Sequence, residues 1–321
     1  MTTIKDIAKV SGYSVSTVSY ALARNPKIPI ETQDKILKVA EELNYTPNAL
    51  AVGLKKKESK NIGIFLPGFQ GPIHSTIVAG IAESMARHGN EYKLIVSLSV
   101  TGYQFIYEGL TDIVFTMSPV INDEEIIKIS KICPLVLFDK IFLGKNIYNT
   151  YFENAEGIYK RVKDFYEKGA RSFSFVSGSQ VSNHNKDRLK GFMMAINELN
   201  IEDYDVIEAF GYTEELGYNA IKNYLIHNSV KDALICSNDE LAIGAMTALN
   251  EAGISIPEQV KISGFDNISK GEFTTPSLST ITVDWFDYGL RIGDYLLDIL
   301  KKKNVNSIIR LTTSLVNRHS G

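Results

Sequence analysis

This chain has few cysteines and no long apolar run, and both features exclude classes of protein. Its two cysteines, Cys133 and Cys236, lie far apart, each inside a short apolar stretch. We interpret them as buried thiols in a reducing compartment, because two cysteines are too few for a zinc or disulfide framework. No run of about 18 apolar residues occurs, so no transmembrane helix is expected. The first residues also lack the apolar core of a signal peptide, which predicts a cytoplasmic protein.

Catalytic motifs are missing as well. The sequence contains no glycine-rich phosphate loop, no nucleophile elbow and no cluster of metal ligands. Its five histidines are scattered: His74, His88, His184, His227 and His319. We therefore expect no enzymatic activity, no cofactor and no metal site.

The charge is distributed unevenly along the chain. The net charge is −3, but residues 1–60 carry ten lysines and arginines against six acidic residues, a balance of +4, and the remainder carries −7. A basic segment ahead of an acidic body suggests that only the first part contacts a polyanion. The length of 321 residues also favours two or three domains over a single core.

The first 45 residues have the pattern of a helix-turn-helix. Residues 4–11 and 15–23 show apolar positions at helical spacing and are separated by a short turn. Thr3 and Ser14 are placed to cap these two helices. A third helix is predicted over residues 31–43. Three helices with a tight turn between the first two are typical of DNA-binding heads.

From residue 61 onward, apolar strand candidates alternate with amphipathic helices. Continuous apolar strands predict parallel sheets buried on both faces, and about ten strands suit two doubly wound lobes. Ligands of such folds lie at the carboxyl ends of strands. Polar residues at those positions are therefore candidate ligand contacts: Asp139, Arg188, Asn238 and Asp266.

These patterns together resemble the lactose-repressor/galactose-repressor (LacI/GalR) family of transcription factors. The resemblance rests on TIKDIAKVSGYSVSTVSYAL and IPIETQDKILKVAEELNYTPNALAVGL in the head. In the body it rests on NIGIFLP, PLVLFD, RLKGF, SNDELAIGAMTALNEAGISIPEQVKISGFDN and TTPSLSTI. It implies an α/β body like the periplasmic sugar-binding proteins, two-lobed with parallel sheets, behind the helix-turn-helix head.

The resemblance also implies domain boundaries. They are a DNA-binding head at 1–46, a hinge helix and linker at 47–60, an N-terminal lobe at 61–149 and 282–309, and a C-terminal lobe at 150–281 and 310–321. The implied function is that of a repressor of a carbohydrate-utilisation operon. It would bind a palindromic operator as a homodimer, or as a tetramer, and respond to a small effector, most simply a sugar. Such a protein would be associated with the nucleoid.

By match to the family, the second helix reads DNA. Val15, Ser16 and Tyr20 fall at base-reading positions, and Thr17, Ser19 and Asn25 are suited to phosphate contacts. Thr3 is a further DNA-binding candidate. The alternative for Val15 is that it packs the core of the head, as we expect Val18 to do.

Tyr20 departs from the arginine that many family members carry. Tyrosine cannot make the bidentate pair with guanine, so we predict a loss of guanine discrimination of about 1–3 kcal/mol at that base pair. Ala23 replaces a usual asparagine and leaves that contact in doubt.

Residues 48–54 match the family's hinge helix, which forms on operator DNA and enters the minor groove. Asn48 and Ala51 fall at contact positions, and Leu54 falls at the position of the wedge that kinks the duplex. The alternative is that Leu54 packs against the body.

The resemblance extends effector contact to six residues: His74, Asp139, Arg188, Tyr212, Asn238 and Asp266. His74 falls where the family has an aromatic residue and could donate to a hydroxyl, but near a helix start it could equally be structural. Tyr212 would stack on a sugar face. Asp266 could instead only end its turn, and Asp239, next to Asn238, could cap the helix that begins at Glu240. Ser182, where purine-binding relatives have arginine, disfavours a nucleobase, and Lys140 leaves a sugar phosphate open.

The sequence leaves two alternative functions open, and it leaves the structure of one segment undecided. A transport-type sugar-binding protein shares the body's fold but needs no residues 1–60. A protein co-regulator could replace the small effector. The short segment at 97–111 leaves the second strand-helix unit of the first lobe uncertain.

Overall fold

The computed structural model describes residues 2–45, 59–69 and 71–321. These residues form two compact units, the first ending at Ser59 and the second beginning at Lys60. Hinge positions Asn48, Ala51 and Leu54 lie outside the described residues.

The first unit contains three helices, as the apolar spacing predicted. They are α1 (Ile4–Ser11), α2 (Val15–Leu22) and α3 (Ile30–Glu42). Their shared core consists of Ile7, Val18, Ala21, Ile36 and Ala40. Burying these side chains stabilises helices that would be marginal in isolation, because two of them have only eight residues.

Local hydrogen bonds fix the turn between α1 and α2. Thr3 and Asp6 form a capping box at the start of α1, with the Thr3 N–H donating to Asp6 Oδ2 at 2.8 Å. α1 ends at Gly12, whose φ of 74° lies in the left-handed region that glycine adopts without steric cost. Ser14 then caps α2 by accepting the Thr17 N–H at 3.1 Å.

The second unit begins with alternating strands and helices that form its first lobe. Their order is β1 (Asn61–Leu66), α4 (Pro72–Arg87), β2 (Lys93–Leu98), α5 (Ser99–Tyr107), β3 (Ile113–Thr116), α6 (Asp123–Ser130), β4 (Leu135–Leu137) and β5 (Ile147–Phe152). All strand pairs here are parallel. The central strands are apolar and buried, as expected of a sheet covered on both faces.

The second lobe repeats the alternation. Its elements are α7 (Asn154–Glu167), β6 (Phe173–Ser177), α8 (Asn183–Glu198), β7 (Tyr204–Glu208), α9 (Glu214–Tyr224), β8 (Ala233–Cys236), α10 (Asp239–Glu251), β9 (Lys261–Ser263) and a 3₁₀ turn at Ser269–Glu272. The strands form a parallel sheet in the order β7-β6-β8-β9. The predicted α/β architecture is therefore confirmed.

The C-terminal segment returns to the first lobe and then to the second. It comprises β10 (Thr280–Thr282), α11 (Trp285–Leu300), β11 (Ile308–Leu311) and β12 (Ser314–Val316). β11 completes the first sheet, whose order is β11-β5-β4-β3-β1-β2, and β10 pairs antiparallel with β12. The chain thus crosses between the lobes after β5, after β10 and after β11.

Three of the lobe boundaries implied by the family resemblance fall inside strands. Residues 149, 281 and 309 lie inside β5, β10 and β11, because each strand continues its hydrogen-bond ladder past that position. The two-stranded β10-β12 pair spans two of these crossings and ties them together.

The segment at 97–111 does complete a strand-helix unit. α5 has nine residues and buries Ser99, Gly102 and Ile106. Gly102 lies under the ring of Phe65, where an added Cβ would be 2.6 Å from Phe65 Cδ1. A short helix with a glycine at the contact is enough to cover this part of the sheet.

Both cysteines are buried free thiols, as predicted. Burial raises the pKa of Cys133 to about 12, so its thiol stays protonated. Among the described residues, no helix is long and apolar enough to cross a membrane.

Candidate functional site

Helix α2 presents the predicted base-reading side chains at the surface of the head. Val15 and Tyr20 are 47% and 46% exposed, and Ser16 is also exposed. Ser16 and Tyr20 are four residues apart and therefore share a helix face. Val18, on the opposite side, is fully buried. Val15 thus lies outside the core that Val18 helps to form.

The other predicted DNA-contacting residues of the head lie in α2, in the loop after it and at the start of α1. Thr17 hydrogen-bonds the Ser14 hydroxyl at 2.8 Å, and Ser19 is half-buried beside it. Asn25 holds the loop after α2, since its Oδ1 accepts the Lys27 N–H at 3.0 Å. Thr3 is exposed at the start of α1.

A cavity of about 350 Å³ lies in the second unit, where strand ends of the two lobes face each other. All six side chains predicted to contact an effector line it: His74, Asp139, Arg188, Tyr212, Asn238 and Asp266. A wider groove of about 720 Å³ adjoins it at Trp285, and Asp266 is the only one of the six that also lines the groove. The smaller cavity is therefore the one at which all six predicted effector contacts meet.

Arg188 and Asp266 form a buried ion pair at the base of the cavity. Arg188 Nη2 lies 3.4 Å from Asp266 Oδ1, and its guanidinium stacks 3.7 Å from the centre of the Phe265 ring. Arg188 Nε donates to Asn154 Oδ1 at 3.0 Å, and Nη1 donates to Ser237 O at 2.6 Å. These bonds fix the guanidinium plane before any ligand arrives.

Burial raises the pKa of Asp266 to about 7, although Arg188 opposes the shift. The backbone of Asp266 has a φ of 112°, outside the regions that L-residues normally adopt. Its carbonyl accepts the indole N–H of Trp285 at 2.8 Å. A strained residue held by several neighbours is characteristic of functional sites.

Asp139 links the lobes across the cavity. It follows β4 in the first lobe, and its Oδ1 accepts the backbone N–H of His184, in the first turn of α8 in the second lobe, at 2.8 Å. Asn183 Nδ2 also donates to the Asp139 carbonyl at 2.5 Å. The start of a helix favours a carboxylate, so this contact holds the two lobes together.

Tyr212 and Asn238 form one wall of the cavity. Asn238 caps α10 by accepting the Leu241 N–H at 3.0 Å and donates to the Tyr212 carbonyl at 3.1 Å. The cap is thus Asn238 rather than Asp239, which is buried and accepts a hydrogen bond from Thr280 Oγ1 at 2.6 Å. The Tyr212 ring lies against Gly178, where an added Cβ would be 2.4 Å from Tyr212 Cε1.

The sequence of this chain is similar to those of known bacterial regulators. Residues 3–48 match the bacterial regulatory proteins of the lacI family, and residues 162–321 match a periplasmic binding protein-like domain. The probable HTH-type transcriptional repressor ExuR of Bacillus subtilis (strain 168) is 31% identical over 290 residues, 88% of this chain and 86% of that protein. The ribose operon repressor of Haemophilus influenzae is 28% identical over 315 residues, 95% of this chain and 94% of that protein.

The chain belongs to the LacI family. A solved structure of the lac repressor dimer, bound to operator and the anti-inducer ONPF, superposes with a TM-score of 0.86. It is 24% identical, and the match covers 99% of this chain and 98% of that one. The LacI-family chain is a DNA-binding transcriptional regulator, and the named relatives are transcriptional repressors, not enzymes.

Ser182 and Lys140 of this LacI-family protein affect which charge a ligand in the cavity can carry. Ser182 lines the cavity and caps α8 by accepting the Asn185 N–H at 3.4 Å. Lys140, which could have suited a phosphate, turns away from the cavity: its Nζ lies 2.5 Å from Asp123 Oδ1. The lysine expected to leave a sugar phosphate open is thus engaged elsewhere.

Sequence reasoning missed several residues of the LacI-family cavity, including Phe138, His184, Glu240 and Trp285. His184 lies one turn before Arg188 on α8, so the i, i+4 spacing offered a signal. Trp285 is the only tryptophan of the chain and begins α11. No group of metal-binding side chains was found among the described residues.

Proposed function

We propose that this protein represses a carbohydrate-utilisation operon, binding a palindromic operator as a homodimer and responding to a sugar held between its lobes. The observation that supports this most strongly is the cavity. It combines buried carboxylates, a fixed guanidinium and aromatic walls in the same chain as a helix-turn-helix head. Acting on operator DNA would place the protein at the nucleoid.

In the head, we assign base reading to Val15, Ser16 and Tyr20. Their exposure along α2 suits a helix that enters the major groove. Contacts to phosphates, which position the head without reading sequence, are assigned to Thr3, Thr17, Ser19 and Asn25.

The hinge, residues 47–60, would connect the head to the body. We assign minor-groove contacts to Asn48 and Ala51 and the wedge to Leu54, because an apolar side chain between base steps kinks the duplex. Gly53 lowers helix stability by roughly 1 kcal/mol relative to alanine, which fits a helix that forms on binding DNA.

In the cavity, a sugar would meet both directional and apolar groups. Asp139 and Asp266 accept hydrogen bonds from hydroxyl groups, and Arg188 donates to ring or hydroxyl oxygens. Asn238 and His74 supply further polar contacts. The Tyr212 ring, half-buried against Gly178, offers a face for the apolar side of the sugar.

Effector binding would change how the lobes meet. Asp139 already contacts the first turn of α8 across the cavity, and a ligand that bridges the same groups changes the free energy of that contact. In a homodimer the change reaches both hinge segments, so a local contact alters operator affinity.

Operator binding can be measured by fluorescence anisotropy, with duplexes selected from a randomised palindromic library. We expect tight binding whose logarithm falls linearly with the logarithm of salt concentration. Asp266→Ala should retain operator affinity and lose the response to the sugar that acts on the wild type. Absence of salt-dependent binding by the wild type would contradict the proposal.

A further inference from the structure

The cavity carries more negative than positive charge. Three carboxylates line it, on Asp139, Glu240 and Asp266. Arg188 is the only lysine or arginine among the described residues that line it, and it pairs with Asp266. His184 is neutral at pH 7, because burial lowers its pKa to about 4.

Nearby lysines supply only part of the missing positive charge. Lys270 does not line the cavity and binds both carboxylate oxygens of Glu214, at 2.6 and 2.7 Å, so its charge offsets that of Glu240 only in part. Lys140 binds Asp123. Within the described parts of the chain, no lysine or arginine forms an ion pair with Glu240 or Asp139.

Helix N-termini compensate the charges of Asp139 and Glu240 only in part. Asp139 accepts a hydrogen bond from the first turn of α8, and Glu240 lies in the first turn of α10. A helix start supplies only about half an elementary charge, and Glu240 shares its helix start with Asp239. A first-turn glutamate is ordinary for a surface helix, but this one is half-buried and lines a ligand cavity.

The negative charge of these carboxylates changes the pKa values of acidic groups that line the cavity. Burial and the neighbouring Glu214 raise the pKa of Glu240, although Lys270 opposes the shift, and Glu240 in turn contributes to the raised pKa of Asp266. A ligand bearing a phosphate or carboxylate would add a further negative charge to this poorly solvated group. A ligand bearing an ammonium would relieve the repulsion, and the aromatic faces of Trp285 and Tyr212 also favour a cation.

We propose that the effector is an amino sugar whose ammonium pairs with Glu240, and that the same carboxylates exclude sugar acids and sugar phosphates. This inference rests on the proposed function, because it specifies the class of sugar that the cavity takes. Glu240 is the specificity-determining residue, whereas Asp139, Arg188 and Asp266 bind the polyol.

The test uses the full-length protein and the fluorescence of Trp285, which lines the cavity and is the only tryptophan. Dissociation constants are measured for two matched series, in the glucose and galactose configurations. Each series contains the neutral hexose, the 2-amino-2-deoxy hexose, the uronate and the 6-phosphate. In the series that fits, the amino sugar should bind about tenfold more tightly than the neutral hexose, the effect of one charge-assisted hydrogen bond. The uronate and phosphate should bind more weakly than the neutral hexose.

Glu240→Gln preserves the size of the side chain and removes its charge. It should reduce the affinity for the amino sugar to that for the neutral hexose, whose own affinity should not change. Glu215→Gln is the matched control, because Glu215 is exposed in the first turn of α9 and does not line the cavity. The wild-type ligand series needs no variant, so it decides the charge preference even if Glu240→Gln folds poorly.

The outcomes separate this inference from the proposed function. A uronate or phosphate that binds more tightly than its neutral parent overturns the amino-sugar inference and leaves a sugar-controlled repressor in place. An unchanged ratio of amino to neutral affinity in Glu240→Gln overturns the role of Glu240. If no compound of either series changes the fluorescence, the amino-sugar inference fails, whereas the sugar part of the proposed function fails only if no sugar changes operator binding in the anisotropy assay.

Discussion

His184 is a buried histidine whose environment keeps it uncharged. Asn154 Nδ2 donates to its Nδ1 at 3.0 Å, which assigns the single ring proton to Nε2. Nε2 lies 3.4 Å from Asp139 Oδ1 but makes no hydrogen bond, and the ring packs edge-on against Phe138 and Phe152. Desolvation therefore outweighs the attraction of Asp139, and the pKa of His184 falls to about 4.

This shift predicts a pH dependence of stability. The unfolded chain takes up the His184 proton near pH 6.5, whereas the folded protein does so only near pH 4. The unfolded state thus binds more protons between these values, and acid destabilises the fold. Relative to His184→Gln, the wild type should lose about 2 kcal/mol of unfolding free energy between pH 8 and pH 5. Urea unfolding of both proteins at the two pH values measures the difference, and parallel behaviour would show that His184 titrates normally.

Tyr20 yields a second prediction at the scale of one residue. It is 46% exposed on the same face as Ser16, so a longer side chain can replace it without disturbing the core. Tyr20→Arg should shift operator preference toward guanine at one base pair by about 1–3 kcal/mol. Competition between operator variants in the anisotropy assay measures the shift. Sugar affinity should not change, and an unaltered ranking of operators would exclude Tyr20 from base reading.

Among the elements, the first turns of α8 contribute both side chains and a backbone contact to the cavity. They carry His184 and Arg188 one turn apart, and their N-terminal backbone binds Asp139 of the other lobe. The sequence predicted the helix and Arg188. It did not predict the contact with Asp139, since nothing in the order of residues brings β4 to the start of α8.

The crossing of α4 and α11 makes a prediction about stability. These helices approach so closely that a Cβ on Gly80 would lie 2.3 Å from the Phe286 carbonyl. Gly80→Ala must push the helices apart and should cost about 1–3 kcal/mol of unfolding free energy. Ala79→Ser, on the exposed side of the same helix, should stay within about 0.5 kcal/mol of the wild type. Thermal or urea unfolding of both variants checks this, and equal stability would mean that the crossing is loosely packed.

At the scale of the whole molecule, the head and the body each have a core of their own. The cavity and Trp285 belong entirely to the body. Removing residues 1–59 should therefore abolish operator binding and leave the sugar-dependent fluorescence change of Trp285 intact. Fluorescence titration of the truncated and full-length proteins measures this. A large loss of sugar affinity on truncation would show that the body depends on the head.

The two lobes of the body are joined by more than their three crossing segments. Asp139 binds the start of α8 on one side of the cavity, and the indole of Trp285 binds the Asp266 carbonyl on the other. Both contacts use residues that line the cavity, so a ligand there acts directly on the groups that hold the lobes together.

The sequence by itself determined the helix-turn-helix, the alternation of strands and helices and the polar residues at strand ends. These follow from local periodicity, capping residues and the common edge where parallel strands end. Tertiary structure alone decided which way Lys140 points, how Trp285 and His184 enter the cavity and why Glu240 forms no ion pair with a lysine or arginine in the described parts of the chain. The physical reason is that burial and ion pairing depend on residues distant along the chain, such as Lys270 with Glu214, and no local pattern records which partner a charge will meet.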